Sequence, residues 1–67
     1  MKYREIRRRL RDDGFVVVAV RGSHQQWKHP DRPGKVTVSG QDNADVRLGT
    51  LQSIYQQAGW VWRKGSR

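Results

Sequence analysis

The segment Gly22–Pro30 holds the residues whose types and spacing could do chemistry. It reads Gly-Ser-His-Gln-Gln-Trp-Lys-His-Pro, so a histidine follows a Gly-Ser turn at the start of an alternating stretch. A histidine side chain can take up and release protons near neutral pH. The chain has a net charge of +8, and a strongly basic surface attracts polyanions. These features predict chemistry on a nucleic-acid backbone, with RNA favoured.

RNA carries its own nucleophile, the 2′-hydroxyl beside each phosphodiester, so a positioned acid or base is enough to promote cleavage. His24 is the candidate general base, or a group that alternates between base and acid. On a regular strand Gln26 and Lys28 share its face, at roughly 7 and 13 Å. Gln26 could bind ribose or base, and Lys28 a neighbouring phosphate. Arg21 could grip the scissile phosphate, since a guanidinium binds phosphate bidentately.

Other residues of the segment have simpler interpretations. On residue type and position alone, the simplest interpretation of His24 is a histidine in a turn whose ring forms hydrogen bonds with local backbone groups. His29 lies on the opposite strand face, which favours a structural role or an exposed position, and two such histidines cannot converge on one metal ion. Trp27 also faces away from His24 and is expected in the core. Trp60 is interpreted as a helix-cap contact, and Trp62 is left open as a contact to a partner or to RNA.

Size and composition exclude several classes of protein. A chain of 67 residues predicts one domain with a small core and no deep cofactor pocket. It has 14 Lys and Arg against six Asp and Glu, and no cysteine for a disulfide or metal site. No apolar run approaches the ~18 residues of a membrane span. The sequence therefore predicts a cytoplasmic protein without metal, cofactor or membrane contact.

Periodicity predicts the elements that must position these groups. Tyr3, Ile6 and Leu10 form one helical stripe. The segment 15–20 is β-branched and apolar on both faces, which predicts a central, well-covered strand. The segments 24–29 and 35–39 complete a meander of three antiparallel strands. A second helical stripe consists of Leu48, Leu51, Ile54, Tyr55 and Ala58, and ends at Gly59.

The predicted fold is α+β, in the order α-β-β-β-α. Its three-stranded antiparallel sheet has two helices packed on one face, which leaves the other face open to ligand. The domain spans residues 1–62. Residues 63–67 form a basic C-terminal tail, either native or a remnant of cloning. The basic side of the first helix, with Arg7 and Arg8, is expected to follow phosphates.

Taken together, these features resemble the HicA toxin family. The resemblance rests on the element order and on two separated motifs at the right distance. The first motif is Gly22-Ser23-His24 followed by Trp27-Lys28-His29-Pro30. The second is Gly49-Thr50-Leu51 with Ile54 and Gln57-Ala58-Gly59. The similarity runs from about Lys2 to Trp60, nearly the whole chain.

The resemblance implies a double-stranded-RNA-binding-like fold and a toxin that inhibits translation by cleaving mRNA. The 2′-hydroxyl reaction requires no metal in principle. The resemblance also implies His24 as the catalytic residue and a HicB-like antitoxin that blocks the site. The RNA-binding candidates are Arg21, Ser23, Gln26, Lys28, Arg7 and Arg8. Many family members carry a proline, often with a histidine nearby, after the third strand. Here that place reads Ser39-Gly40-Gln41, so the second proton-transfer group stays open.

Two other functions compete with this one. The first is a non-catalytic RNA-binding module of the same fold, which the missing histidine favours. The second is a small adaptor whose open sheet face binds only protein, and the high positive charge argues against it.

Basic residues on the first helix predict that RNA affinity falls steeply with salt. Neutralising Arg7 or Arg8 should reduce the slope of log affinity against log salt, because fewer counterions are released on binding. Titrating labelled RNA at several salt concentrations measures this slope. An affinity that does not depend on salt would contradict the idea.

Overall fold

Two helices bracket three strands, as the sequence predicts. A computed structural model describes residues 1–62. Its elements are α1 (Tyr3–Asp12), β1 (Val16–Arg21), β2 (His24–Lys28), β3 (Val36–Ser39) and α2 (Leu48–Ala58). The strands form one antiparallel sheet in the order β1-β2-β3. This confirms the α+β class and the meander. The proposed basic tail lies outside the described residues, and no helix within them could cross a membrane.

The hydrophobic core lies between the helices and the β2–β3 half of the sheet. Its buried residues are Ile6, Leu10, Phe15, Trp27, Val36, Val38, Val46, Leu51, Ile54, Tyr55 and Ala58. Both helical stripes therefore point inward as predicted, with one exception: Leu48, at the start of α2, is 64% exposed. Trp27 is 1% exposed, which confirms its place in the core. Because successive strand residues alternate between faces, a buried Trp27 directs His24, Gln26 and Lys28 to the open face.

Strand β1 corrects the prediction of a central, covered strand. It is an edge strand, and every residue in it is exposed. Its valines at 16, 17, 18 and 20 are 55%, 39%, 52% and 61% exposed. The first strand of a simple meander has only one neighbour, and the buried side chains of the sheet come from β2 and β3 alone. In β1, therefore, the presence of apolar side chains on both faces does not indicate that the strand is buried.

The register between β1 and β2 contains one irregularity. Val17 lies opposite Trp27 and Ala19 lies opposite Gln26, so Val18 is an extra residue in β1. This arrangement is a β-bulge, which bends a strand and increases its twist. Beyond the bulge the pairing continues regularly to the end of the hairpin.

Asp13 connects the end of α1 with the loop after β2 and with the chain that follows α2. Its carboxylate accepts hydrogen bonds from the Arg32 guanidinium at 2.7 Å and from Trp60 Nε1 at 2.9 Å. The Trp60 ring contacts Tyr55 edge to face, 5.3 Å between centroids, which confirms its predicted role at the helix cap. Gly59 ends α2 with a φ of +74°, a conformation that glycine adopts at low cost.

His29 has a structural role, which is one of the two alternatives that the sequence predicts. Its Nε2 lies 2.9 Å from the carbonyl oxygen of Asp13, and its Nδ1 accepts the backbone N–H of Asp31 at 3.0 Å. The ring also contacts Phe15 edge to face. A ring nitrogen that accepts an N–H is unprotonated, so Nε2 is the donor to Asp13. Both nitrogens of His29 are therefore engaged within the fold.

The ionised form of Asp13 should stabilise the fold. Hydrogen bonds from Arg32 and then Trp60 lower the pKa of Asp13 below its ordinary value of 3.8. A lowered pKa gives stability that is present above the ordinary value and lost as pH falls through the folded one. We expect Asp13→Asn to lower the thermal midpoint slightly at neutral pH, because the pair is partly exposed.

The difference between Asp13→Asn and wild type should shrink as pH falls below the ordinary pKa of 3.8 and through the lowered pKa of Asp13 in the fold. Circular dichroism melts across this range measure it. Asp12→Asn is the matched control, since Asp12 is the exposed neighbour. A difference that persists unchanged in acid would show that the charge of Asp13 is not the cause.

Candidate functional site

The hairpin between β1 and β2 places an arginine beside the candidate histidine. Gly22 and Ser23 form a two-residue loop, and Arg21 lies directly opposite His24 in the register. Gly22 has a φ of +58°, whereas Ser23 does not have a positive φ. This combination is typical of a type II′ turn, whose twist matches the flanking strands. The shortest common hairpin loop thus sets the Arg21–His24 pair.

His24 stands in a row that crosses all three strands. It pairs with Arg21 on one side and with Ser39 on the other. Side chains directly opposite each other in antiparallel strands share a face, with Cβ atoms about 4.5–5.5 Å apart. The open face therefore carries a guanidinium, an imidazole and a hydroxyl in one line.

The next row orients the amide of Gln26. Gln26 lies between Ala19 and Thr37, and its Oε1 accepts a hydrogen bond from Thr37 Oγ1 at 3.0 Å. This contact occupies the acceptor of the amide. The NH₂ group of Gln26 therefore remains available to donate to a bound ligand.

A shallow cavity of about 330 Å³ joins these groups. Its lining residues are Ala19, Val20, Arg21, His24 and Gln26. This volume lies at the lower end of the range for ligand pockets. His24 and Arg21 are exposed, and within residues 1–62 neither side chain forms a hydrogen bond or ion pair. Both are free to contact a ligand that enters the cavity.

The structure brings together some of the predicted site residues and separates others. Arg21, His24 and Gln26 line one cavity, and Ser23 is exposed in the adjoining turn. Lys28 is exposed at the far end of the same strand. Arg8 is exposed on α1 and so belongs to the helical layer, away from this row.

Arg7 is the one predicted RNA-binding residue whose burial speaks against that role. It is 7% exposed. Its Nε donates to Gln25 Oε1 and its Nη1 to Asp42 Oδ1, each at 2.7 Å, and its Nη2 donates to the carbonyl oxygen of Gly40. The helical spacing explains the difference, because Arg7 follows Tyr3 by four residues and precedes Leu10 by three. It therefore lies on the buried stripe.

Arg7 holds the strand ends that carry the site. Gln25 follows His24 and Gly40 follows Ser39, so the guanidinium binds beside both residues from the core side of the sheet. Gly40 has a φ of +151°, and a Cβ there would overlap the Tyr3 ring. Only glycine suits this position without a shift of the ring.

Two neighbours of the site could have been found from the sequence. Val36 and Val38 are buried, so alternation sends Thr37 and Ser39 to the open face. By contrast, no local pattern indicates Asp42 as the partner of Arg7, because 35 residues separate them. Among the described residues, no group of three or more His, Cys, Asp or Glu could hold a metal ion.

Replacing Arg7 should loosen the site as well as the fold. We expect Arg7→Gln to lower the free energy of unfolding by about 1–3 kcal/mol, because it removes charge-assisted hydrogen bonds to Gln25, Asp42 and Gly40. Arg7→Lys should recover little, since lysine lacks the planar fork of donors. Urea denaturation followed by circular dichroism measures both. Arg8→Gln is the exposed control and should change stability by less than about 0.5 kcal/mol. Equal losses in Arg7→Gln and Arg8→Gln would show that the buried contacts contribute nothing.

The amino-acid sequence matches one family of known proteins over most of its length. Residues 3–60 match the profile of the family described as "HicA toxin of bacterial toxin-antitoxin". A search of curated proteins finds no match to this chain. The family match covers both helices, all three strands and the whole of the His24 cavity. The chain therefore belongs to the HicA toxin family.

Proposed function

We propose that this toxin is an endoribonuclease that cleaves mRNA in the cytoplasm without a metal, with His24 as general acid and base. A HicB-like antitoxin neutralises it. The observation that carries the proposal is the exposed His24–Arg21 pair on the open face of a HicA-family domain. A proton carrier and a phosphate ligand are the two groups that the 2′-hydroxyl reaction needs.

The reaction begins when His24 removes the proton of a 2′-hydroxyl. The 2′-oxygen then bonds to the adjacent phosphorus, and the bond from phosphorus to the 5′-oxygen of the next nucleotide breaks. Arg21 donates two N–H groups to the non-bridging oxygens, whose negative charge increases in the transition state. The products are a 2′,3′-cyclic phosphate and a 5′-hydroxyl.

The leaving 5′-oxygen needs a proton. The groups directly beside His24 on the open face are Arg21 and Ser39. A guanidinium is not deprotonated in proteins, and a serine hydroxyl is a poor acid. We therefore assign the proton to the His24 imidazolium formed in the first half of the reaction, delivered directly or through water.

The rest of the open face positions the RNA strand. The free NH₂ group of Gln26 donates to an acceptor on the ribose or base. Lys28, on the same face at the far end of β2, binds a phosphate further along. Ser23 lies in the turn beside His24 and can donate to the backbone of the RNA.

Replacing His24 should slow cleavage strongly while RNA binding is kept. We expect His24→Ala to reduce the cleavage rate by about 10²–10⁴-fold, the usual contribution of a general acid or base. The measurement is cleavage of labelled single-stranded RNA in EDTA, with identification of the product ends. Gln52→Ala, an exposed change on α2, is the control.

Each other outcome of this experiment has a definite meaning. Cleavage by wild type only when a divalent cation is supplied would contradict the metal-independent reaction. Equal cleavage by His24→Ala would exclude His24 as the proton carrier.

A non-catalytic RNA-binding module is the second candidate function. It is favoured by Ser39, because this residue stands beside His24 where many family members have a proline and a nearby histidine. If wild type and His24→Ala both bind RNA and neither cleaves it, this function replaces the first.

Salt dependence should separate phosphate binding from catalysis. Arg8→Gln and Arg21→Gln should each reduce the slope of log affinity against log salt by about 0.7, the value for one lost contact to single-stranded nucleic acid. Only Arg21→Gln should also slow cleavage at saturating RNA. Arg8→Lys keeps the charge and should keep the slope. A slope unchanged in Arg8→Gln would place α1 outside the RNA interface.

A further inference from the structure

The outer edge of β1 is apolar and uncovered. Its valines at 16, 17, 18 and 20 are 39–61% exposed, and by register Val17 and Val20 lie on the helical face, opposite Trp27 and Gln25. Proteins usually protect an edge strand with charged residues, proline or a bulge. From Val16 to Val20 there is no charge and no proline, so the bulge at Val18 is the sole protection between these two residues.

The opposite edge of the sheet is partly closed. The backbone N–H of Thr37 in β3 donates to Gln57 Oε1 of α2 at 2.9 Å. Gln57 is held in turn by Ser53 Oγ at 3.0 Å. Within residues 1–62, no backbone group of β1 pairs with anything except β2. The β1 edge is therefore the one that a further strand can extend.

Cations flank this edge at both ends. Arg21 ends β1, and a second depression of about 510 Å³ lies at its start, lined by Val16, Val18, Lys28, His29, Pro30 and Arg32. Lys28 is opposite Val16 and forms no ion pair among the described residues. A segment that lies along β1 therefore meets valines in the middle and positive charge at its ends.

We propose that the β1 edge binds an extended acidic segment of a partner protein as a fourth strand of the sheet. Main-chain hydrogen bonds supply affinity in such strand addition, and alternate side chains supply specificity. Small apolar side chains fit the valines, and carboxylates fit the flanking cations. Valine side chains offer RNA no hydrogen-bond donor, so a polypeptide is the occupant that this edge favours.

Strand addition here also regulates the site, and this part of the inference rests on the proposed function. Val20 and Arg21 belong to β1 and also line the His24 cavity. A fourth strand lies about 4.8 Å from β1, so its carboxylates reach Arg21 and compete with the RNA phosphate. The bound partner is therefore an inhibitor of cleavage.

The probe is a capped ten-residue peptide of alternating glutamate and valine. Titrated into ¹⁵N-labelled wild type, it should shift the amide resonances of β1 in a saturable way and slow their hydrogen exchange at least tenfold. Two control peptides should bind at least tenfold more weakly. One has lysine in place of glutamate, and the other has prolines that prevent strand pairing.

Variants locate the contact. Val18→Glu should weaken binding of the acidic peptide at least tenfold, because it puts a like charge on the edge. Val18→Thr keeps the shape and strand propensity, and should weaken it less. Leu48→Glu is the matched control, since Leu48 is 64% exposed at the start of α2. It should not change peptide binding.

The inference is wrong if the peptide leaves the β1 resonances unchanged, or if Leu48→Glu weakens binding as much as Val18→Glu. It is also wrong if RNA, but not the peptide, shifts β1. Cleavage of RNA by the protein without peptide is measured in a separate assay. Peptide binding without any cleavage would overturn the proposed function and leave strand addition standing, whereas cleavage without peptide binding would do the reverse.

Discussion

The arrangement of this domain depends on one buried guanidinium. Arg7 binds oxygen atoms of Gln25, Asp42 and Gly40, which come from β2 and from the chain that follows β3. A buried cation is tolerated only when its donors are satisfied. The helix, the middle strand and the end of the third strand must therefore adopt one relative position. His24 and Ser39 adjoin two of these contacts, so the fold sets their geometry before any ligand binds.

The site lies where a rigid part of the sheet meets an exposed part. Ser39 belongs to the strand whose valines are fully buried, whereas Arg21 ends a strand that is exposed throughout. His24 pairs with both. The backbone of His24 is thus held by pairing with a strand of the core, and the phosphate ligand beside it stands on a surface that another molecule can reach. Such an arrangement lets a partner act on Arg21 without disturbing the core.

Much of this could be predicted from the sequence, because the informative patterns were local. Helical spacing predicted both stripes, and alternation predicted that Trp27 and His24 face opposite ways. The prediction that β1 is a central, buried strand was wrong, since a run of valines indicates that a strand is apolar but not how many neighbouring strands it has. Arg7 was assigned to the surface by residue type, although its spacing from Tyr3 and Leu10 places it inward. Its partners Gly40 and Asp42 are distant in sequence and carry no local pattern.

The two-residue hairpin loop has a consequence for the order in which the site assembles. Bringing Arg21 and His24 together costs little chain entropy because the loop between them is short, and hairpins form within about 1–10 μs. The contacts of Arg7 with Asp42 and of Trp60 with Asp13 span 35 and 47 residues, so they form only as the whole chain condenses. The two groups that we assign to the reaction thus come together early. The supporting guanidinium joins them only with these long-range contacts, so the support of the site is completed together with the fold.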